Sequence, residues 1–115
     1  MTNLLLIAAI IQIESGGNNL AVGDHGRAIG ALQIQSHVVR DVNKFFGTSY
    51  SHAQMTNRAI AQFVFNAYLW IYATPARLGR AVTDIDRMRI WNGGPNGWRR
   101  RTTLCYVKKV IHKLK

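Results

Sequence analysis

The apolar positions of the chain follow the spacing of helices over most of its length. Residues 2–15 are apolar almost all round, which predicts a buried central helix that Thr2 or Asn3 caps and that ends at Glu14. The continuous apolar run inside this helix starts at Leu4 and is too short to span a bilayer, since a spanning helix needs about 20 residues. The first element is therefore expected to pack in the interior of the protein.

Further helices are predicted downstream of this element. Segment 33–46 forms the second helix, and Thr56 caps a longer third helix that Pro75 ends. Segment 76–90 holds one or two short helices. The last helix starts at residue 102 or 103 and ends at residue 114. The residues expected to face inward are Val38, Val39, Val42 and Phe45 in the second helix, Ile60, Phe63, Val64, Ala67 and Ile71 in the third, and Leu104, Val107, Ile111 and Leu114 in the last.

Glycines cluster in two places, and each cluster predicts a turn. Segment 16–30 holds five of the ten glycines, which indicates a loop or a small hairpin after the first helix. Segment 92–97 reads N-G-G-P-N-G and predicts a second loop. The whole pattern predicts a single compact domain over residues 1–115, mainly α in class, or α+β where the hairpin forms.

Charge is distributed unevenly along the chain. The net charge is +10, and residues 77–115, called here the basic third, carry eleven Lys and Arg against two Asp, a net +9. Such an excess favours an anionic partner, whether nucleic acid, anionic lipid or a cell-wall polymer. Cys105 is the only cysteine, which excludes an intrachain disulfide and a cysteine-based zinc cluster. The four histidines lack metal-ligand spacing, so no metal site is expected.

The few acidic residues limit the choice of catalytic groups. Glu14 is the only glutamate and follows the most apolar segment, where burial would raise the pKa of its carboxyl and make it a general acid; the alternative is an exposed residue at a helix end. Asp24 lies in a glycine-rich turn, which it either caps or uses to present a second carboxylate. Trp91 and Trp98 flank the second loop, either as a shelf for sugar stacking or as core residues that fix a tight turn.

Four short motifs, taken in order, resemble those of the lysozyme-like superfamily, in its soluble lytic transglycosylase and goose-type lysozyme branch. Glu14-Ser15 resembles the E-S pair, and Gly30-Ala31-Leu32-Gln33-Ile34 resembles the element G-L-M-Q-[IVL]. Trp91-Asn92-Gly93-Gly94-Pro95 is similar to A-Y-N-A-G, and Tyr106-Val107 with Val110 is similar to Y-V-x-x-V on the closing helix. Gly23-Asp24-x-Gly26 points towards the goose-type branch.

The resemblance implies cleavage of the β-1,4 bond between N-acetylmuramic acid and N-acetylglucosamine in peptidoglycan, with Glu14 as the catalytic acid and no cofactor. The sequence departs from the family at Ala31, Leu32 and Trp91, and segment 47–58 matches no family element. Some goose-type enzymes carry a further acid where Gln35 and Ser36 stand here. The residues implied to hold the acid or bind substrate are Ser15, Gln33, Ile34, Trp91, Asn92, Gly93 and Tyr106.

Two reactions remain open, and both start when Glu14 protonates the glycosidic oxygen. In hydrolysis, the favoured route, Asp24 activates a water on the opposite face of the sugar, which needs the two carboxyls roughly 6.5–9.5 Å apart. In lytic transglycosylation Glu14 acts as acid and then as base, and the product is a 1,6-anhydro sugar. Asp24→Asn separates the two routes, because only hydrolysis uses that carboxylate.

Other classes of protein also fit parts of the sequence. A nucleic-acid-binding module would use the arginine run 99–101 and the last helix to contact phosphates. A catalytically idle lysozyme-like domain would act as a structural or wall-binding part of a phage particle. Neither accounts for Glu14 together with Asp24. A secretory signal would start with a basic segment, and residues 1–3 hold no Lys or Arg. We therefore expect a protein made in the cytoplasm and released to the wall like a phage endolysin. We also expect it to be a monomer. The basic third would hold it on the anionic wall.

Overall fold

A computed structural model describes residues 3–115, and its first helix, α1, is Leu4–Ser15. Thr2, one of the two predicted caps, lies outside the described residues. Asn3 is confirmed as a cap, because its side chain accepts a hydrogen bond from the backbone N–H of Leu5 at 2.7 Å. Gly16 ends the helix in the left-handed conformation, at φ 65°.

The prediction of a buried first helix is confirmed for its middle and wrong for its start. Leu4 and Leu5 are exposed, at 79% and 70%, because they lie on the side of the first turn that faces away from the core, while Leu6 and Ile7 of the same turn are buried. The helix packs against the last helix, α6 (Leu104–Leu114), which begins within one residue of its predicted start. The buried residues of α1 are Leu6, Ile7, Ala9, Ile10 and Ile11.

The predicted hairpin forms and gains a third strand. Strands β1 (Val22–Gly23), β2 (Ala28–Ile29) and β3 (Ile34–Gln35) make an antiparallel sheet in the order β1-β2-β3. Gly30 turns the chain between β2 and β3 at φ 87°, where a side chain would collide with the backbone carbonyl of Met55. Since β3 occupies the start of the predicted second helix, that helix begins later than expected.

The remaining helices are α2 (Ser36–Phe46), α3 (Arg58–Tyr72), α4 (Pro75–Leu78) and α5 (Asp84–Gly93), and short 3₁₀ turns cover Asp24–Gly26, His52–Thr56, Gly97–Arg99 and Arg101–Thr103. One boundary prediction is wrong: Asn57, not Thr56, caps α3, because its side chain accepts from the backbone N–H of Ile60 at 3.1 Å. The expected break at Pro75 is confirmed, since α3 ends at Tyr72 and Pro75 starts α4, where its missing N–H costs nothing. Among residues 3–115, no helix is both long and apolar enough to cross a bilayer.

The core contains most of the predicted inward positions and excludes some of them. Phe45 and Phe63 are exposed at 59% and 42%, and Leu104 and Leu114 at 44% each, so these four predictions are wrong. In α3 the buried stripe lies one position later in the sequence than predicted. The sequence does not single out this stripe, because the helix is apolar on several faces. Its buried residues are Ala61, Val64, Phe65, Ala67, Tyr68 and Leu69.

The domain is mostly helical, with one small sheet. Its basic third is not uniformly an exposed surface, because four arginines are used to hold the fold. Arg77 donates to the backbone carbonyls of Tyr72 and Pro95 at 2.7 and 2.8 Å. Arg80 forms a two-point ion pair with Asp86 at 2.6 and 2.8 Å. Arg87 bonds to Asp84 at 2.8 Å, and Arg89 to Thr103 at 2.8 Å and to the carbonyl of Arg100 at 2.9 Å.

Candidate active site

A cavity of about 490 Å³ lies where the end of α1, the sheet, the start of α2 and the end of α5 meet. Seven of the nine residues predicted for the site line it, although they come from distant parts of the sequence. The lining residues are Glu14, Asp24, Ala28, Gln33, Ile34, Gln35, His37, Val38, Tyr68, Trp91, Asn92, Gly93 and Gly94.

Glu14 is positioned by the last turn of α1 and held by the last helix. The hydroxyl of Tyr106 donates a hydrogen bond to its Oε2 at 2.9 Å. Burial raises the pKa of the Glu14 carboxyl above its ordinary value, and the hydrogen-bonding side chains of Tyr106 and Trp91 partly oppose that rise. The balance keeps Glu14 protonated to a higher pH than an exposed glutamate, as a general acid requires. The alternative of an exposed helix-end residue is therefore wrong.

Tyr106 does not line the cavity but reaches Glu14 from behind. It is 8% exposed, and burial together with the neighbouring carboxyl raises the pKa of its phenol, so it stays protonated and keeps its O–H for Glu14. Tyr106 therefore acts through Glu14, because its bond holds the Oε2 side of the carboxyl in place.

Ser15 is the second predicted residue that stays outside the cavity lining. Its hydroxyl donates to the backbone carbonyl of Ala31 at 2.7 Å and accepts from the N–H of Gly17 at 3.1 Å. These bonds tie the end of α1 to the turn before β3. In this position Ser15 holds the helix end that carries the acid.

Gln33 lines the cavity and also fixes the shape of the sheet. Its backbone is left-handed, at φ 52°, and its amide donates to the carbonyls of Ala21 at 3.2 Å and Gly30 at 3.0 Å. A side chain at Gly23 would collide with the amide oxygen of Gln33, so the amide would have to leave this position. Ile34, the next residue, is fully buried and lines the cavity with its apolar side chain.

Asp24 brings a second carboxylate to the same cavity. It lies in the turn between β1 and β2, where Asp24 and His25 both adopt left-handed backbone, at φ 50° and 56°. Such a conformation costs roughly 1–2 kcal/mol for a residue with a side chain. The side-chain amide of Gln35 donates to Asp24 at 3.4 Å. Asp24 is exposed, so this carboxylate stands in a wetter setting than Glu14.

The end of α5 supplies an aromatic ring and an amide. Trp91 packs edge-on against Phe65 and Tyr68, with ring centroids 4.6 and 5.8 Å apart, and presents the rest of its indole to the cavity. Asn92 is exposed and lines the cavity with Gly93. Asn92 and Gly93 both belong to the last turn of α5, whereas the sequence predicted that a loop covers residues 92–97. Trp98 does not line the cavity, so the predicted shelf of two indoles reduces to one.

Sequence reasoning missed several lining residues. Tyr68 is the most informative, because it is only 1% exposed and yet lines the cavity, and its hydroxyl has no hydrogen-bond partner within residues 3–115. Burial is the main cause that raises its pKa to about 12, so the hydroxyl remains a donor. The shifted stripe of α3 was the signal that could have identified it. His37, Gln35, Ala28, Val38 and Gly94 were missed as well.

The charge of the cavity differs from that of the protein. Its titratable side chains are Glu14, Asp24, His37 and Tyr68, and no Lys or Arg of the described chain lines it. A groove without a permanent cation is poorly suited to bind phosphate groups, while amides, aromatic rings and carboxyls suit a neutral sugar. Within residues 3–115, no group of three or more His, Cys, Asp or Glu side chains is arranged to hold a metal ion.

No protein-family model matches this chain, and a search of curated proteins finds no relative.

Proposed function

We propose that this chain is a peptidoglycan-degrading glycosidase, a muramidase, with Glu14 as its general acid. The observation that carries the proposal is a partly buried glutamate with a raised pKa, bonded to Tyr106, at the wall of a cavity lined with amides and aromatic rings. A carboxyl whose pKa is raised stays protonated to a higher pH and can donate its proton to a glycosidic oxygen as the bond breaks. The motif resemblance supplies the substrate, the β-1,4 bond after N-acetylmuramic acid.

The first chemical step falls to Glu14. Its carboxyl proton passes to the oxygen of the leaving sugar as the glycosidic bond breaks, and the carboxylate that remains is stabilised by the hydroxyl of Tyr106. Bond breaking leaves positive charge at the anomeric carbon of the muramic acid. A water bonds to that carbon and gives its proton to the carboxylate of Asp24, which lines the same cavity.

Hydrolysis is the favoured route because the second carboxylate is present and differs in environment from the first. Asp24 is exposed and accepts a bond from Gln35, while Glu14 is partly buried and has a raised pKa. Two carboxyls in such unequal settings are suited to separate roles as base and acid. Lytic transglycosylation remains the alternative, since it needs Glu14 alone.

The lysozyme-like fold is part of the same proposal. It is supported by the order of elements along the chain: a helix that ends at the acid, a small antiparallel sheet directly after it, and a closing helix that bonds back to the acid. Asn92 and Trp91 would contact the N-acetyl group and the ring face of the sugar.

The basic third would keep the enzyme on the anionic wall. We propose that the chain acts there as a monomer, after release from the cytoplasm in the manner of a phage endolysin. Its free cations would concentrate it on murein and associated polymers, and binding to isolated walls should weaken as salt is raised.

Digestion of purified peptidoglycan by wild type and Glu14→Gln tests the function. Glutamine keeps the size of the side chain and its acceptor for Tyr106, so the loss expected is that of the transferable proton, with activity falling by roughly 10² to 10⁴. Asp84→Asn is the matched control, because it makes the same change from carboxyl to amide at an exposed residue that lies outside the cavity. Unchanged activity in Glu14→Gln would refute the assignment.

Mass analysis of the released muropeptides decides the reaction. Reducing ends, together with inactive Asp24→Asn, are expected for hydrolysis. Anhydro ends, with Asp24→Asn fully active, would establish the transglycosylase instead. No cleavage by wild type, combined with a salt-dependent shift of short DNA duplexes, would favour the nucleic-acid-binding alternative.

A further inference from the structure

One face of α6 forms a shallow depression of about 390 Å³ together with the side chain of Ile13. It shares no lining residue with the cavity that holds Glu14. We call it the α6 surface, and its residues are Ile13, Cys105, Lys108, Lys109, His112 and Lys113.

The floor of the α6 surface is apolar. Ile13 is partly buried against the core, and Cys105 is exposed beside it. The lysines add their aliphatic stems, because positions 105, 108, 109, 112 and 113 lie on one face of a helix and long side chains can lie along apolar neighbours while their charged ends reach water. The exposed Leu104 begins the same helix.

The rim of the α6 surface is cationic and has no neutralising partner among the described residues. The ion pairs within residues 3–115 join Arg40 to Asp41, Arg80 to Asp86 and Arg87 to Asp84. None involves a lysine of α6. No Asp or Glu occurs in the sequence after Asp86. Glu14, which follows Ile13 in α1, lines the other cavity and bonds to Tyr106.

We propose that the α6 surface docks on the headgroup layer of an anionic lipid bilayer. A soluble polyanion would use the ammonium groups and leave the apolar floor in water. A bilayer accepts both parts, because lysine ammoniums reach lipid phosphates while their stems and Ile13 face the start of the acyl chains. Charge complementarity supplies the attraction, and the apolar floor selects lipid among the anionic partners. The docking does not depend on the chemistry at Glu14.

Binding to vesicles tests the proposal directly. The full chain is mixed with vesicles of phosphatidylcholine alone, or of phosphatidylcholine and phosphatidylglycerol in equal parts, and the bound fraction is measured by sedimentation. Binding is expected only to the anionic vesicles. Lysine near such a surface contributes about a fivefold gain in affinity, so Lys108→Gln/Lys109→Gln/Lys113→Gln should weaken binding roughly 100-fold.

The matched control removes three charges elsewhere. Arg27→Gln/Arg40→Gln/Lys44→Gln alters exposed cations outside the α6 surface and lowers the net charge by the same amount. It should weaken binding by less than tenfold. Glu14→Gln should bind vesicles like wild type, so failure of the enzymatic proposal is distinguishable from failure of this one.

Cys105 provides a second measurement that does not need the lysine variant to fold. It is the only cysteine and is exposed, so an environment-sensitive fluorophore can be attached there. Its emission should shift to the blue with anionic vesicles and remain unchanged with soluble polyphosphate. An absent shift, equal losses in the two triple variants, or polyphosphate that competes fully at equal charge would each overturn the proposal.

Discussion

The contribution of the Asp86 carboxylate to the stability of the fold can be calculated from its pKa. Asp86 is 2% exposed and belongs to the first turn of α5, the helix that carries Trp91 and Asn92 to the cavity. Arg80 bonds to both of its oxygens, and the backbone N–H of Thr83 donates to it at 2.9 Å. We predict that Asp86→Asn destabilises the protein at neutral pH and leaves the cavity unchanged in the folded state.

The magnitude follows from the pKa of Asp86. Bonding to Arg80 is the main cause that lowers this pKa from 3.8 to about 2. At 1.36 kcal/mol per unit, the ionised side chain contributes about 2 kcal/mol to the free energy of unfolding. Because the pKa is lowered in the fold, this contribution is fully present above the unfolded value of 3.8 and is lost as the pH falls through about 2.

Urea unfolding of wild type and Asp86→Asn at pH 7 and at pH 2 measures the effect. At pH 7 the variant should lose about 2 kcal/mol, or roughly 6–12 °C in the midpoint of thermal unfolding. At pH 2 most of the difference should disappear, because the carboxyl is then about half protonated in the folded protein and almost fully protonated in the unfolded chain. Asparagine resembles that protonated form.

Asp84→Asn is the control on the same helix. Asp84 pairs with Arg87 at the surface, and its side chain is 47% exposed, so its loss should cost less than about 0.5 kcal/mol. Equal losses in the two variants, or a deficit of Asp86→Asn that persists undiminished at pH 2, would refute the reasoning.

Two further predictions concern the site. Tyr106→Phe removes the donor that stabilises the Glu14 carboxylate, so the pKa of Glu14 should rise further and the alkaline limb of the pH–rate profile should move to higher pH; a downward move would contradict the role given to Tyr106. Tyr68→Phe should raise KM two- to tenfold by removing an unpaired donor at the cavity, which corresponds to a hydrogen bond worth about 0.5–1.5 kcal/mol. Tyr72→Phe, one turn later, breaks a 2.8 Å bond to Asp41 outside the cavity and should lower stability by about 1 kcal/mol without altering KM. The reverse pattern would show that Tyr68 is only a core residue.

The sequence predicted the helices well where composition and capping agree, as in α1, and poorly where several faces of a helix are apolar. In α3 a stripe through Phe63 and one through Phe65 are both apolar, and only packing against Trp91 decides that Phe65 is inside. Short strands such as β3 carry too few residues for an alternating pattern. The start of α2 was therefore placed too early.

The candidate site was predictable as a set of residue types, while its geometry was not. The position of Glu14 after an apolar run indicated a raised pKa, and burial is its main cause. Nothing in the spacing showed that Ser15 would bond to Ala31, or that Tyr68 would lie at the cavity wall. Such contacts depend on how distant segments pack, which local patterns do not record. The net charge was also a poor guide to the surface, because Arg77, Arg80, Arg87 and Arg89 are engaged in the fold.

The bond between Tyr106 and Glu14 joins residues 92 positions apart, which has a consequence for synthesis. A ribosome adds roughly 5–20 residues per second, so Tyr106 is made between about 5 and 18 s after Glu14. During that interval the apolar side of α1 lacks α6, its main packing partner, and must be shielded from aggregation. Glu14, the proposed general acid, likewise lacks its bonded hydroxyl until α6 docks. A chain that ends before Tyr106 would therefore have an incomplete candidate site.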